Sequence, residues 1–413
     1  MSVVDGVLAH GVGSRSDLPI PLFYAYAGAF AALVISFLAL GLLWADSRFR
    51  GELAGRVLPV RPLPWLVRGL RLLTLAALLY TAAWLIAGPA EDNAAPYLIY
   101  VVFWVGLVPA SMLLGPVWRT LNPFRLLPDT ARRPLPARLG YWPAAAGLFA
   151  FTWMELVAPE PAAPPTLLVF LVGYGLAQLA GTLRHGHAWL ERGDPFEVYS
   201  TLIGHLSPLG RRGDGRWVLR SPFNGLDALA PAPGLVATVC VLLGSTGYDG
   251  FSTAPVWVQT LQSAPLGRVG TGTLGLLTAI VLVALLYAAC LRLAAAIGGA
   301  RDLPARFAHS LVPVAIGYLV AHYFSLLVIE GQRAAILALG LDGATVDQEI
   351  VSPAVIATVQ VSAIIVGHVL GVVAAHDRSV RLLRPERAVA GQIPLFVLML
   401  SYTLGGLTLL FAA

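Results

Sequence analysis

The chain has 413 residues, 57% hydrophobic and only 12% charged, with a formal net charge of +5 and a mean hydropathy of +0.76. Soluble domains carry about 25% charged residues, so this composition excludes an ordinary water-soluble globular protein and places the chain in the membrane class. All 27 basic residues are arginine, which removes lysine as a base or Schiff-base nucleophile; the two cysteines, Cys240 and Cys290, lie inside apolar runs and form no disulfide framework.

Residues 1–19 lack a basic start followed by an apolar core, so no cleavable signal peptide is expected. Apolar segments then fall near 20–44, 70–88, 97–118, 141–158, 165–183, 235–261, 271–291, 309–329, 353–375 and 392–412. They predict an all-α polytopic bundle of about ten transmembrane helices, a single integral membrane domain over 1–413. Between spans five and six, residues 184–233 carry apolar positions at roughly helical spacing among charges and read as a cytoplasmic amphipathic loop along the interface. The tetrapeptides NPFR (122–125), DPFE (194–197) and SPFN (221–224) each set a turn-favouring residue before Pro-Phe, which ends a helix and anchors an aromatic ring. They are not read as a functional repeat.

Span six starts with only nine apolar residues, Leu235–Leu243, before the polar run GSTGYDGFSTAP at 244–255. Its glycines disfavour a regular helix, so the span is expected to be discontinuous, with Tyr248 and Asp249 on unwound backbone. After span eight, residues 330–352 hold an apolar stretch too short to cross and read as a short outer helix or re-entrant piece.

Arginine placement predicts orientation. Of the 27 arginines, 24 lie in or beside the connections after spans one, three, five, seven and nine, and only Arg15, Arg268 and Arg333 lie on the other face. With 11 acids on each side, the two faces carry 24 − 11 = +13 and 3 − 11 = −8. The positive-inside rule then puts the arginine-rich face in the cytoplasm, both termini outside and the protein in the plasma (cell inner) membrane. The positive face suits anionic lipid headgroups rather than nucleic acid. The negative face gathers Glu91, Asp92, Glu155, Glu160, Asp249, Glu330, Asp342, Asp347 and Glu349, which would draw cations or protons to an outward cavity.

Ionisable groups inside spans mark functional sites by default. Span eight carries His309, His322 and Glu330; span nine carries Gln360, His368 and His376. At about 1.5 Å rise per residue, His322 lies roughly 20 Å from the cytoplasmic end, the depth also expected of Tyr248 and Asp249. Gln360 falls at roughly 24 Å and His368 at about 12 Å. Asp249, Tyr248, His322, Gln360 and His368 are therefore candidates for one central polar site, with Glu330 at its outer end and Glu155 able to line it. His309 and His376 read as structural groups at the interface. His185-Gly-His187 has metal-like types without a third ligand nearby.

Histidine with carboxylate suits a divalent transition metal such as zinc, with His322, Asp249 and Glu330 as ligands and Asp249, Tyr248 and Gln360 in catalytic roles. The same groups suit proton or cation coupling in a transporter. Paired histidines, His368 among them, could instead hold a haem in a subunit of a respiratory or other membrane complex, although the depth offset of about 8 Å between His322 and His368 argues against simple bis-histidine ligation.

Five stretches, VWRTLNPFR (117–125), AWLERGDPFEVY (188–199), GYDGFSTAPVW (247–257), AHSLVPVAIGYLVAHYFSLL (308–327) and VGHVLGVVAAHDRS (366–379), resemble the actinobacterial polytopic membrane proteins labelled fenitrothion hydrolase-like. The resemblance covers most of the chain and implies hydrolysis of an organophosphorus ester by a membrane-embedded enzyme. It assigns no residue a role. A metal-dependent enzyme, a coupled transporter and a cofactor-binding or structural subunit remain open at this point.

Overall fold

The computed structural model describes residues 22–411 except 52–53, 60–62, 90, 213 and 342; the signal-peptide expectation, Arg15 and Asp342 lie outside the described residues. Fifteen helices account for nearly all the regular structure: α1 Leu22–Leu43, α2 Pro64–Ala87, α3 Ala94–Leu114, α4 Val117–Leu121, α5 Trp142–Leu156, α6 Pro164–His185, α7 His187–Gly193, α8 Pro195–Gly204 and α9 Pro222–Asp227 in the first half, then α10 Leu235–Ser252, α11 Pro255–Ser263, α12 Gly267–Gly298, α13 Leu303–Leu339, α14 Pro353–Leu382 and α15 Ala388–Phe411. Three short strands, β1 Arg56–Val57, β2 Leu209–Arg211 and β3 Trp217–Leu219, pair antiparallel in the order β1-β3-β2. The all-α bundle expected from hydropathy is what the chain forms.

Among the described residues, nine helices are long and apolar enough to cross a bilayer. The tenth expected span is α5, whose 15 residues rise only about 22 Å against a hydrocarbon core of about 30 Å. In the best apolar window of α10, 72% of residues are buried, and 67% in that of α13, against 11% for α2 and 17% for α1 and α12. The two helices carrying Asp249 and His322 are thus shielded by protein, where polar groups in a membrane must be.

The arginine-bearing connections meet at one end of the bundle. Asp377 accepts hydrogen bonds from Arg48 N at 2.6 Å and Ser47 Oγ at 2.8 Å, and Asp227 binds both Arg378 and Arg381 at 2.7 Å. Arg133 N donates to Arg184 O and Arg384 N to Gly298 O, while β1 and β3 join residues 56–57 to 218–219. The opposite, acidic end is closed by contacts such as Tyr100 OH to Pro161 O at 2.8 Å and Asp347 N to Gln332 Oε1 at 3.0 Å.

The 184–233 segment does more than lie on a surface. Nine of the ten residues of α8 are buried, and the helix packs against α3, α4, α5 and α7. Asx-Pro-Phe sequences set its entry. Asn122 caps the 3-10 turn Pro123–Leu126 through Phe124 N, and Asp194 caps α8 through Phe196 N. The two caps bond each other, Asn122 Nδ2 to Asp194 Oδ2 at 2.8 Å, and Arg125 forks onto Glu197 with its Nε at 3.0 Å. NPFR and DPFE therefore face one another, first position to first and fourth to fourth.

Two expectations need correction. The run 244–252 is helical, and the discontinuity in span six falls at Thr253–Ala254, where Pro255 forces extended backbone on Ala254. Two of the run's three glycines, Gly244 and Gly250, serve close approach rather than unwinding, while a Cβ at Gly247 would meet nothing within 4 Å. A Cβ at Gly244 would lie 2.6 Å from the Ile280 Cα, and one at Gly250 would lie 2.8 Å from the Tyr318 hydroxyl. Likewise, no separate helix forms among the described residues of 330–352; α13 runs on to Leu339 and ends at Gly340 with φ +62°.

Candidate functional site

Helix α10 turns Asp249 toward α13, where two consecutive residues receive it. His322 Nε2 lies 2.8 Å from Asp249 Oδ2, and Tyr323 OH donates to the same oxygen at 2.8 Å. The His322 distance is that of an ion pair, yet the ring nitrogen is not aligned for a linear hydrogen bond. Asp249 is buried and His322 only slightly exposed. Tyr318, one turn before His322, stacks parallel to the imidazole with centroids 6.2 Å apart, and its buried hydroxyl makes no hydrogen bond.

A second carboxylate, Glu155 near the end of α5, lies within electrostatic reach of Asp249, Tyr323, Tyr100 and Tyr199. Tyr199 comes from α8 and stacks on Trp104 at 4.2 Å, with its hydroxyl buried and unpartnered. Tyr100 and Trp104 belong to the nine-residue π-helical stretch Tyr97–Val105 within α3. Such wide turns recur at functional sites because they redirect side chains from the regular helical stripe.

Glu155 faces a cleft at the acidic end, lined also by Tyr248, Ser252, Pro161, Arg268 and Gly272. Its volume of about 30 Å³ admits water but no organic substrate. Tyr248 lies edge-on to Trp257, with centroids 5.8 Å apart, and packs beside Gly272 and Gly275. It lines the cleft rather than the Asp249–His322 contact.

The other expected members lie elsewhere. Glu330 is fully buried but takes Arg333 at 2.9 Å. Among the described residues, no group of three or more His, Cys, Asp or Glu side chains is placed to hold a metal ion, so the His322–Asp249–Glu330 ligand set is not assembled. Gln360 is partly exposed on α14. His368 spends Nδ1 on Ile364 O at 2.8 Å, leaving Nε2 buried and unpartnered. Of the two histidines expected to hold a haem, His322 has its Nε2 against Asp249. His309 and His376 join helices: His309 bonds Ala374 O at 3.3 Å, and His376 bridges Gln392 Oε1 at 2.8 Å and Trp44 O at 3.0 Å. His185 and His187 bond the backbone oxygens of Arg133 and Leu127.

At the arginine-rich end, Asp194 is fully buried beside Glu197. Burial first, and the neighbouring Glu197 carboxylate second, push it from 3.8 up to about 7, although Phe196 N–H and Tyr174 OH hydrogen-bond to it.

Comparison with protein-family models, curated proteins and solved structures returns no match.

Proposed function

We propose that this multi-pass membrane protein is a proton-coupled transporter in which Asp249, His322 and Tyr323 bind and release the coupled proton. The observation that carries the reading is the 2.8 Å approach of His322 to Asp249 between the two most buried helices. A carboxylate and an imidazole sharing one site inside a bundle exchange a proton at small cost, because the charge one loses the other gains. Tyr323 stabilises the ionised carboxylate through its hydroxyl. In this reading the arginine-rich end lies in the cytoplasm of a plasma membrane and both termini lie outside.

The test needs no knowledge of the solute. Proteoliposomes on a solid-supported membrane, given a pH jump, should show a transient charge movement as the site takes up protons. Asp249→Asn should abolish it with the protein still monodisperse. Equal charge movement in the wild type and Asp249→Asn overturns the proposal.

The fenitrothion hydrolase-like resemblance supports a second reading, a metal-dependent membrane enzyme. Asp249 and His322 supply two of the three protein ligands that catalytic zinc ordinarily takes, and Glu330 does not join them, so the described residues do not fit that centre. Elemental analysis decides: near one metal equivalent per chain, lost in His322→Ala, would favour the enzyme over the transporter.

A further inference from the structure

We propose that Glu155 is the proton-entry residue, taking protons from the cleft at the acidic end and passing them to the Asp249–His322 pair. The inference rests on the proton-coupling reading and adds the path by which the central site is reached.

Four observations support it. Glu155 is 9% exposed, yet no hydrogen bond or ion pair to its carboxylate occurs among the described residues. A buried carboxylate without a cation or donor costs several kcal/mol to keep ionised, so it holds a proton or a cation rather than standing bare. Its carboxylate lines a cleft whose volume, about 30 Å³, suits water and hydronium but not a solute. Asp249, Tyr323, Tyr100 and Tyr199 lie within electrostatic reach of it, and Tyr248 and Arg268 line the same cleft. Glu155 therefore both lines a water-sized cleft and feels the charge of Asp249, and no second carboxylate lines the cleft among the described residues.

The step balances without a co-reactant. Hydronium in the cleft gives a proton to Glu155 and leaves water; the protonated acid gives it to the Asp249–His322 pair and returns to carboxylate. Tyr323, which donates to Asp249, also lies within electrostatic reach of Glu155.

The experiment combines kinetics with accessibility. In the pH-jump measurement, Glu155→Gln should retain the charge moved by the central pair but slow it at least tenfold, and Glu155→Asp should recover much of the rate. Ser252→Cys, on the cleft wall, should be labelled by silver ion, a thiol-reactive cation close to water in size, from one side of the membrane only, above the labelling of wild-type protein. An unchanged rate in Glu155→Gln overturns the relay while leaving the central pair standing. Loss of charge movement from the wild type itself overturns the proton-coupling reading and the relay together. A transient that follows sodium rather than pH makes Glu155 a sodium site and overturns proton entry. No labelling of Ser252→Cys from either side shows the cleft to be dry and likewise overturns it.

Discussion

Tyr323 and His322, consecutive on α13, both address one oxygen of Asp249 on α10, each at 2.8 Å. Two helical residues thereby meet at a single oxygen of Asp249, and that shared atom couples their energetics to its own. Replacing Tyr323 by Phe removes a donor, and replacing Asp249 by Ala removes the acceptor. In a double-mutant cycle read by thermal unfolding in detergent, the coupling should be about 0.6–1.7 kcal/mol, the range for hydrogen bonds between membrane helices. Strict additivity of the two substitutions would show that the contact carries no free energy.

The equal depth of Asp249 and His322 is legible from helix rise alone, since both lie roughly 20 Å from the arginine-rich end. Their partner Tyr323 is not. Consecutive helical residues diverge by about 100°, so a residue next to His322 is not expected to face the same acid, and a phenol raises no polar alarm in an apolar span. Tyr199 is hidden because charges around α8 suggest a surface segment, while the Asn122–Asp194 and Arg125–Glu197 contacts that bury it join residues about seventy positions apart. Glu330 misleads for a local reason: Arg333, three residues on, is available to it on the same helix face. Gly244 and Gly250 read as breaks because helix propensity counts their entropy and not the neighbour that needs the space.

Close approach gives a prediction at the α13–α14 crossing. A Cβ added at Gly317 would lie 2.5 Å from Ala363 O, and one at Gly367 would lie 2.5 Å from Pro313 O. Backbone oxygen cannot swing aside as a side chain can, so Gly317→Ala and Gly367→Ala should each cost about 1–3 kcal/mol. Gly173→Ala on α6, with nothing within 4 Å, is the control and should leave the melting temperature unchanged or slightly raised. Equal effects at all three sites would mean that the two helices do not meet through their glycines.

The Arg125–Glu197 pair predicts an asymmetry between breaking and removing it. Glu197 is fully buried and held by the Arg125 guanidinium and Asn122 Nδ2, the latter at 2.9 Å. Arg125→Gln leaves that carboxylate without its cation and should cost about 3–5 kcal/mol. Adding Glu197→Gln removes the stranded charge and should recover more than half of the loss. Unfolding in detergent measures both, and a double variant less stable than Arg125→Gln alone would count against the buried-charge explanation.

Asp194 sets the pH dependence of the same cluster. Its carboxyl stands at about 7 in the folded protein against 3.8 ordinarily, raised by burial and by Glu197. A folded-state value above the unfolded one means that folding favours the protonated acid. The corresponding stability is complete below about pH 4 and is lost as pH rises toward and through 7. Asp194→Asn, which keeps the α8 cap on Phe196 N but cannot ionise, should therefore gain stability relative to the wild type as pH rises from 5 to 8. The gain is capped on the order of 4 kcal/mol, because each tenfold change in proton affinity is worth about 1.4 kcal/mol, and a proton shared with Glu197 would make it smaller. Melting temperatures of the two proteins at pH 5, 6, 7 and 8 settle the matter. A difference that stays constant across that range would mean that Asp194 holds its charge in the fold, with Asn122 and Tyr174 supplying enough donors to offset its burial.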